Sequence, residues 1–116
     1  IEMELIVMEL MTKKQEEQLV KNHKLQEANP DKDMKNKAVI KLFNPTGLGT
    51  WYASEYDPET RIAFGVADLG FPEMGSFAMH ELEELELPMG LKIERDLSFP
   101  ENKYTLTECL ELCKHE

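Results

Sequence analysis

The fold is decided by the stretch that begins with Thr50-Trp-Tyr-Ala-Ser-Glu-Tyr-Asp57 and ends with Leu91-Lys-Ile-Glu-Arg-Asp-Leu-Ser-Phe99. Both segments have the composition or the alternation that is typical of β-strands. The runs Ala38–Phe43 and Ile62–Val66 predict two more strands. Because the turns between the first three strands are short and rich in Asn, Asp, Pro and Gly, consecutive strands should be antiparallel. We therefore predict a four-stranded, mainly antiparallel sheet.

Helices are predicted on both sides of these strands in the sequence. Capping-box patterns at Thr12–Gln15 and Thr105–Glu108 each predict the start of a helix. Between them, Ser76 is expected to cap a short helix over residues 77–86, after a loop at 68–75. The chain is therefore predicted to be an α+β domain, with its helices packed on one face of the sheet.

Arg95 is the most unusual residue of the predicted strands. Alternation places it on the same face as Ile93 and the other apolar residues of its strand, and a guanidinium on a core face needs an acceptor. In the second strand the same period puts Glu55 beside Trp51, so Glu55 is the expected partner of Arg95. Two interpretations stay open: a structural ion pair, which we favour, or an arginine that binds a carboxylate or another anion in a cleft beside Trp51.

Size and charge limit the possible functions. The chain has 116 residues, with 13 basic and 23 acidic side chains and a net charge of −10. We expect one domain over residues 1–116, in which 1–11 could be an extension and 100–116 a helical tail. An excess of acid opposes non-specific binding to nucleic acid, although it would suit a basic partner or an imitation of DNA.

The expected location is the cytoplasm. Two cysteines, Cys109 and Cys113, do not make a disulfide framework and indicate a reducing compartment. No apolar run approaches the roughly 18 residues of a membrane span. The apolar residues before position 12 are interrupted by glutamates and have no basic residue before them, so they do not match a signal peptide.

The sequence contains only weak signals for a catalytic or metal site. The carboxylates Glu55, Asp57, Glu94 and Asp96 could serve a hydrolase, with His80 and a divalent ion as helpers. His80 with Glu84, and Cys109 with Cys113 and His115, have partial metal-ligand spacing but lack the remaining ligands. The glycines form no phosphate-binding fingerprint. We expect neither a metal nor a cofactor.

The sequence contains six motifs in this order: Lys41-Leu-Phe-Asn-Pro45, Thr50-Trp-Tyr-Ala-Ser-Glu-Tyr-Asp57, Phe64-Gly-Val66, Gly75-Ser-Phe77, Glu81-Leu82 and Gly90-Leu-Lys-Ile-Glu-Arg-Asp-Leu-Ser-Phe99. By their order and spacing, these motifs resemble a bacterial family of small proteins of unknown function. The resemblance covers roughly residues 10 to 99 and implies an origin on plasmids, phages and integrated mobile elements but no mechanism.

The function that these observations favour is non-enzymatic. We expect an accessory or interaction protein of a mobile element, which binds a protein partner through Trp51, Glu55, Tyr56 and Arg95. The alternatives are a carboxylate- or metal-dependent hydrolase and an acidic decoy that imitates DNA. The oligomeric state stays open.

Overall fold

A computed structural model describes residues 9–114, so most of the 1–11 segment and His115 lie outside the described residues. The helices are α1 (Lys13–Glu27), α2 (Met79–Glu84) and α3 (Leu106–Lys114), and a 3₁₀ turn covers Pro88–Gly90. The strands are β1 (Ile40–Phe43), β2 (Thr50–Asp57), β3 (Ile62–Asp68), β4 (Pro72–Ala78) and β5 (Glu94–Arg95). No helix within residues 9–114 is long and apolar enough to cross a membrane.

The sheet is antiparallel, as predicted, but it has five strands rather than four, in the order β4-β3-β2-β1-β5. The extra strand is β4, which begins within residues 68–75, where the sequence predicts a loop. A tight turn makes this hairpin, because the Asp68 carboxylate accepts a hydrogen bond from the backbone of Gly70, whose φ is 111°. Pro72 is tolerated because it is the first residue of an edge strand.

The prediction that Ser76 caps a helix is wrong. Ser76 and Phe77 belong to β4, where they pair with Phe64 and Ala63 of β3. The helix begins only at Met79, and no side chain caps it. The long-range pairing with β3 therefore outweighs a local capping signal.

The strand predicted over residues 91–99 is reduced to Glu94–Arg95. It ends where the Asp96 carboxylate accepts hydrogen bonds from the backbone and hydroxyl of Ser98. Such an Asx turn bends the chain away from a neighbouring strand. As a result Leu97, which alternation places in the core, is 73% exposed.

Helices cover both faces of the sheet, which corrects the prediction of one covered face. The first core joins α1 and α2 to one face, through residues that include Leu19, Leu42, Trp51 and Met79. The second core, on the opposite face, joins α3 to the sheet. Its members are Ala38, Tyr52, Val66, Cys109 and Cys113. Trp51 and Tyr52 are adjacent in β2, and the pleat of a strand directs adjacent side chains to opposite faces. The two residues therefore belong to different cores.

The two predicted capping boxes are confirmed. Thr12 and Gln15 exchange side-chain to backbone hydrogen bonds at the start of α1. Thr105 and Glu108 do the same before α3. The chain that leads into α3 is also attached to the sheet, because the backbone of Ala38 bonds to residues 102 and 104. The C-terminal segment is therefore part of the sheet's second core.

The regular pairing of β2 with β3 is interrupted by a β-bulge at Ser54. Ala53 pairs with Gly65 and Glu55 pairs with Phe64, so Ser54 is the extra residue. The strands come very close at this point: a Cβ placed on Gly65 would lie 1.8 Å from the Tyr52 carbonyl oxygen. Only glycine fits there without a shift of the backbone.

This close approach gives the first prediction. Gly65→Ala should lower the free energy of unfolding by about 3 kcal/mol or more, because the backbone must move to admit the methyl group. Gly75→Ala is the matched control, since Gly75 lies opposite Gly65 on β4 and has nothing within 4 Å of its added Cβ. The control should change by less than about 1 kcal/mol. Urea unfolding measures both variants, and equal effects would contradict the close approach.

Candidate functional site

The structure does not bring the four predicted binding residues to one surface. Trp51 and Tyr56 are 6% and 5% exposed and belong to the first core. Arg95 is half-buried on β5, at one edge of the sheet. Glu55 is half-buried and lines a cleft on the opposite face from Trp51. That the four contact a partner stays a prediction, and of the four only Glu55 lines this cleft.

The predicted pairing of Arg95 with Glu55 is wrong. Arg95 does share the face of Trp51, because each of them pairs with Leu42 of β1. However, its guanidinium donates a hydrogen bond to the backbone carbonyl of Glu9. Two features separate the predicted partners: β1 lies between β5 and β2, and the bulge turns Glu55 to the other face.

The Glu55 cleft has a volume of about 730 Å³. It lies between the loop that follows α1, the α3 side of strands β2 to β4, and the first turn of α3. Its lining includes Asp33, Asn36, Glu55, Phe64, Met74 and Leu106. Carboxylates and an amide thus face apolar side chains across one concave surface, which is typical of binding sites.

Two asparagines that sequence reasoning missed hold this cleft in shape. Asn22 of α1 is buried, and its side-chain amide donates to the Ser54 carbonyl at 3.0 Å, at the bulge. The amide of Asn36 donates to the backbone carbonyl of Asn22 at 3.0 Å, which fastens the loop to the helix. A signal for Asn22 existed, because it lies three residues after Leu19 on the buried side of α1.

The hydrogen bonds to Glu55 are weak for a half-buried carboxylate. Among residues 9–114, its one hydrogen bond comes from the Asn36 amide at 3.5 Å, and no basic side chain of these residues forms an ion pair with it. Burial raises the pKa of Glu55, more than the Asn36 hydrogen bond and the His23 charge lower it. The nearby Asp33 raises the pKa further. Such a carboxylate in a cleft is a feature of functional sites.

The four carboxylates of the hydrolase hypothesis lie in two separate parts of the molecule. Glu55 and Asp57 line one concave surface together with His23, whose Nε2 lies 3.9 Å from Asp57 Oδ2. The hydrogen bond from the Glu59 backbone is the main reason why the pKa of Asp57 is lowered.

Glu94 and Asp96 lie at the β5 edge of the sheet, away from the concave surface that Glu55 and Asp57 line. Burial raises the pKa of Asp96, but the Ser98 hydrogen bonds and the Lys41 charge outweigh it, so that the pKa is lowered. Lys41 Nζ lies 3.9 Å from Asp96 Oδ2. These two acids therefore do not join Glu55 and Asp57.

The weak metal signals do not converge into a site among the described residues, and His115, which belongs to one of these signals, lies outside them. Within residues 9–114, no group of three or more histidine, cysteine or acidic side chains is placed to hold a metal ion. The buried Nδ1 of His80 has no hydrogen-bond partner in the part of the chain that the structure describes. Cys109 and Cys113 are buried in the second core, and burial raises the pKa of Cys109 to about 12. A thiol with that pKa is protonated at neutral pH and is not a nucleophile.

The site is thus a cleft with a carboxylate, on an antiparallel sheet that has helices on both faces. A family described as a protein of unknown function, DUF2958, matches residues 10–116, and the chain belongs to this family. The match includes residues 100–116, which lie outside the region covered by the resemblance of the sequence motifs. Neither the curated proteins nor the solved structures give a match to the chain.

The raised pKa of Glu55 gives a pH-dependent prediction. Because the folded protein holds the Glu55 proton more tightly than the unfolded chain, the ionised carboxylate lowers stability at pH 7. That penalty disappears as the pH falls below the unfolded value of about 4.3. Glu55→Gln should therefore raise the melting temperature at pH 7 and leave it nearly unchanged at pH 4.

The matched control is Glu73→Gln, an exposed carboxylate on the opposite face of β4. It should shift the melting temperature little at either pH, because an exposed carboxylate loses little hydration on folding. Calorimetry at the two pH values measures both variants. A gain for Glu55→Gln that is larger at pH 4 than at pH 7 would contradict the assignment.

Proposed function

We propose that the protein is a non-enzymatic accessory protein of a bacterial mobile element, and that it binds a protein partner in the cytoplasm through the Glu55 cleft. The mobile-element setting rests on the resemblance of the sequence motifs. The binding surface rests on the structure of the cleft.

The observation that carries the proposal is an incompletely covered sheet face. Helix α3 packs over Tyr52 and Val66, but no helix within residues 9–114 covers the neighbouring part of the same face. On this open part Phe64 is 37% exposed and Met74 is 45% exposed. Aromatic and methionine side chains are enriched in protein interfaces, where they supply apolar area.

The geometry of the cleft also suits a protein segment. Phe64 pairs directly with Glu55, and Met74 is a diagonal neighbour of Phe64 on β4. An apolar anchor therefore lies beside a carboxylate whose hydrogen bond from Asn36 is long, at 3.5 Å. A few such side chains in a concave surface contribute most of the binding energy in typical interfaces.

Affinity capture from a bacterium that carries the gene tests the proposal. Phe64→Ser should reduce recovery of the partner by about tenfold or more, since it removes the exposed ring from the centre of the surface. Leu97→Ser is the control, because Leu97 is also exposed but follows β5 at the other edge of the sheet.

Both variants are first shown to be folded by circular dichroism. A partner that is recovered equally well with wild type and with Phe64→Ser would contradict the proposal. A loss that occurs only with Leu97→Ser would contradict it as well, and would move the interface to the β5 edge.

A hydrolase is the second candidate, and one observation favours it: the raised pKa of Glu55 in a cleft next to His23 and Asp57. A carboxyl group with a raised pKa suits general acid–base catalysis. This alternative predicts turnover of a chromogenic ester or glycoside by the purified protein, which Glu55→Gln abolishes and Glu73→Gln retains. Turnover that persists in Glu55→Gln would contradict the role of Glu55.

A further inference from the structure

We infer that the Glu55 cleft accepts an arginine side chain of the partner, with an apolar residue next to it in the partner's sequence. The guanidinium would bind the Glu55 carboxylate and lie against the Phe64 ring. This inference rests on the proposed function, and it names the chemistry by which the partner is recognised.

The first argument is the unfilled capacity of the Glu55 carboxylate. An ionised carboxylate can accept about four hydrogen bonds. Within the described part of the chain, Glu55 accepts one, at 3.5 Å, from an Asn36 amide that also donates to Asn22. Removing a carboxylate from water without donors is unfavourable, so a donor that arrives with a positive charge gains the most.

The second argument is the ring beside that carboxylate. Glu55 and Phe64 are directly paired across β2 and β3, on one face. Directly paired side chains in an antiparallel sheet lie about 5 Å apart at Cβ. A planar guanidinium can stack on an aromatic ring while it binds a carboxylate through two hydrogen bonds, which an ammonium cannot do. The geometry therefore favours arginine over lysine.

The third argument is the charge around the cleft. Two lysines, Lys32 and Lys35, line the cleft, but neither forms an ion pair with Glu55. Two acids of the same loop, Asp31 and Asp33, line the cleft as well. The whole chain carries −10, so its field attracts a cation from a distance. Met74 and Leu106 line the rest of the cleft and provide a place for the apolar residue that adjoins the arginine.

Blocked tripeptides test the inference without knowledge of the natural partner. Acetyl-Leu-Arg-Leu-amide is titrated into the ¹⁵N-labelled full chain, and the same peptide with citrulline is the neutral control of equal shape. The arginine peptide should bind at least about tenfold more tightly, because its hydrogen bond to the carboxylate is charge-assisted. Chemical shift changes should centre on Asn36, Ser54 and Phe64.

Two variants of the chain test whether Glu55 causes the preference for the arginine peptide over the citrulline peptide. Glu55→Gln should bring the two peptides to within about threefold of each other, while Glu73→Gln should keep the full preference. Equal binding of both peptides to the wild type would overturn the inference, as would shift changes centred elsewhere. Ethylguanidinium that binds as tightly as the peptide would also overturn it, because the occupant would then be a small cation.

The outcome separates this inference from the proposed function. If the arginine peptide shows no preference and Phe64→Ser still loses the host partner, the interface stands and only the arginine assignment is wrong. If Phe64→Ser keeps the partner, the proposed function is wrong, whichever peptide binds.

Discussion

The structure depends on the bulge at Ser54 in the central strand β2. The bulge puts one extra residue in β2, so that Glu55 leaves the face of Trp51 and pairs with Phe64 on the other face. It is maintained from two sides: Gly65 permits the close approach of β3, and the Asn22 amide binds the Ser54 carbonyl. A regular strand would place Glu55 in the first core and remove its carboxylate from the cleft.

Much of the fold could be predicted from local patterns. Both capping boxes and the first three strands are where the sequence places them, because short turns and period-two alternation are local signals. The errors arise where distant contacts decide. Residues 72–78 form a strand because β3 offers an edge, and α3 covers the second face because its cysteines and the strand residues Tyr52 and Val66 form a core together.

The site was harder to predict than the fold. Glu55 was identified as a candidate, but for a pairing with Arg95 that does not form. Alternation predicted the face of Arg95 correctly, since no bulge interrupts β5. It failed for Glu55 because a bulge reverses every later side chain, and nothing local marks Ser54 as the extra residue. Asn36 could not be predicted, because its role depends on how the loop folds back on α1.

The central claim is that Glu55 faces the cleft and not the core that contains Trp51. Nuclear Overhauser contacts of the Glu55 side-chain protons test it most directly. The bulge predicts contacts to the Phe64 ring and to the side-chain amide of Asn36, and none to the Trp51 indole. Contacts to the Trp51 indole, without contacts to Phe64, would contradict the claim.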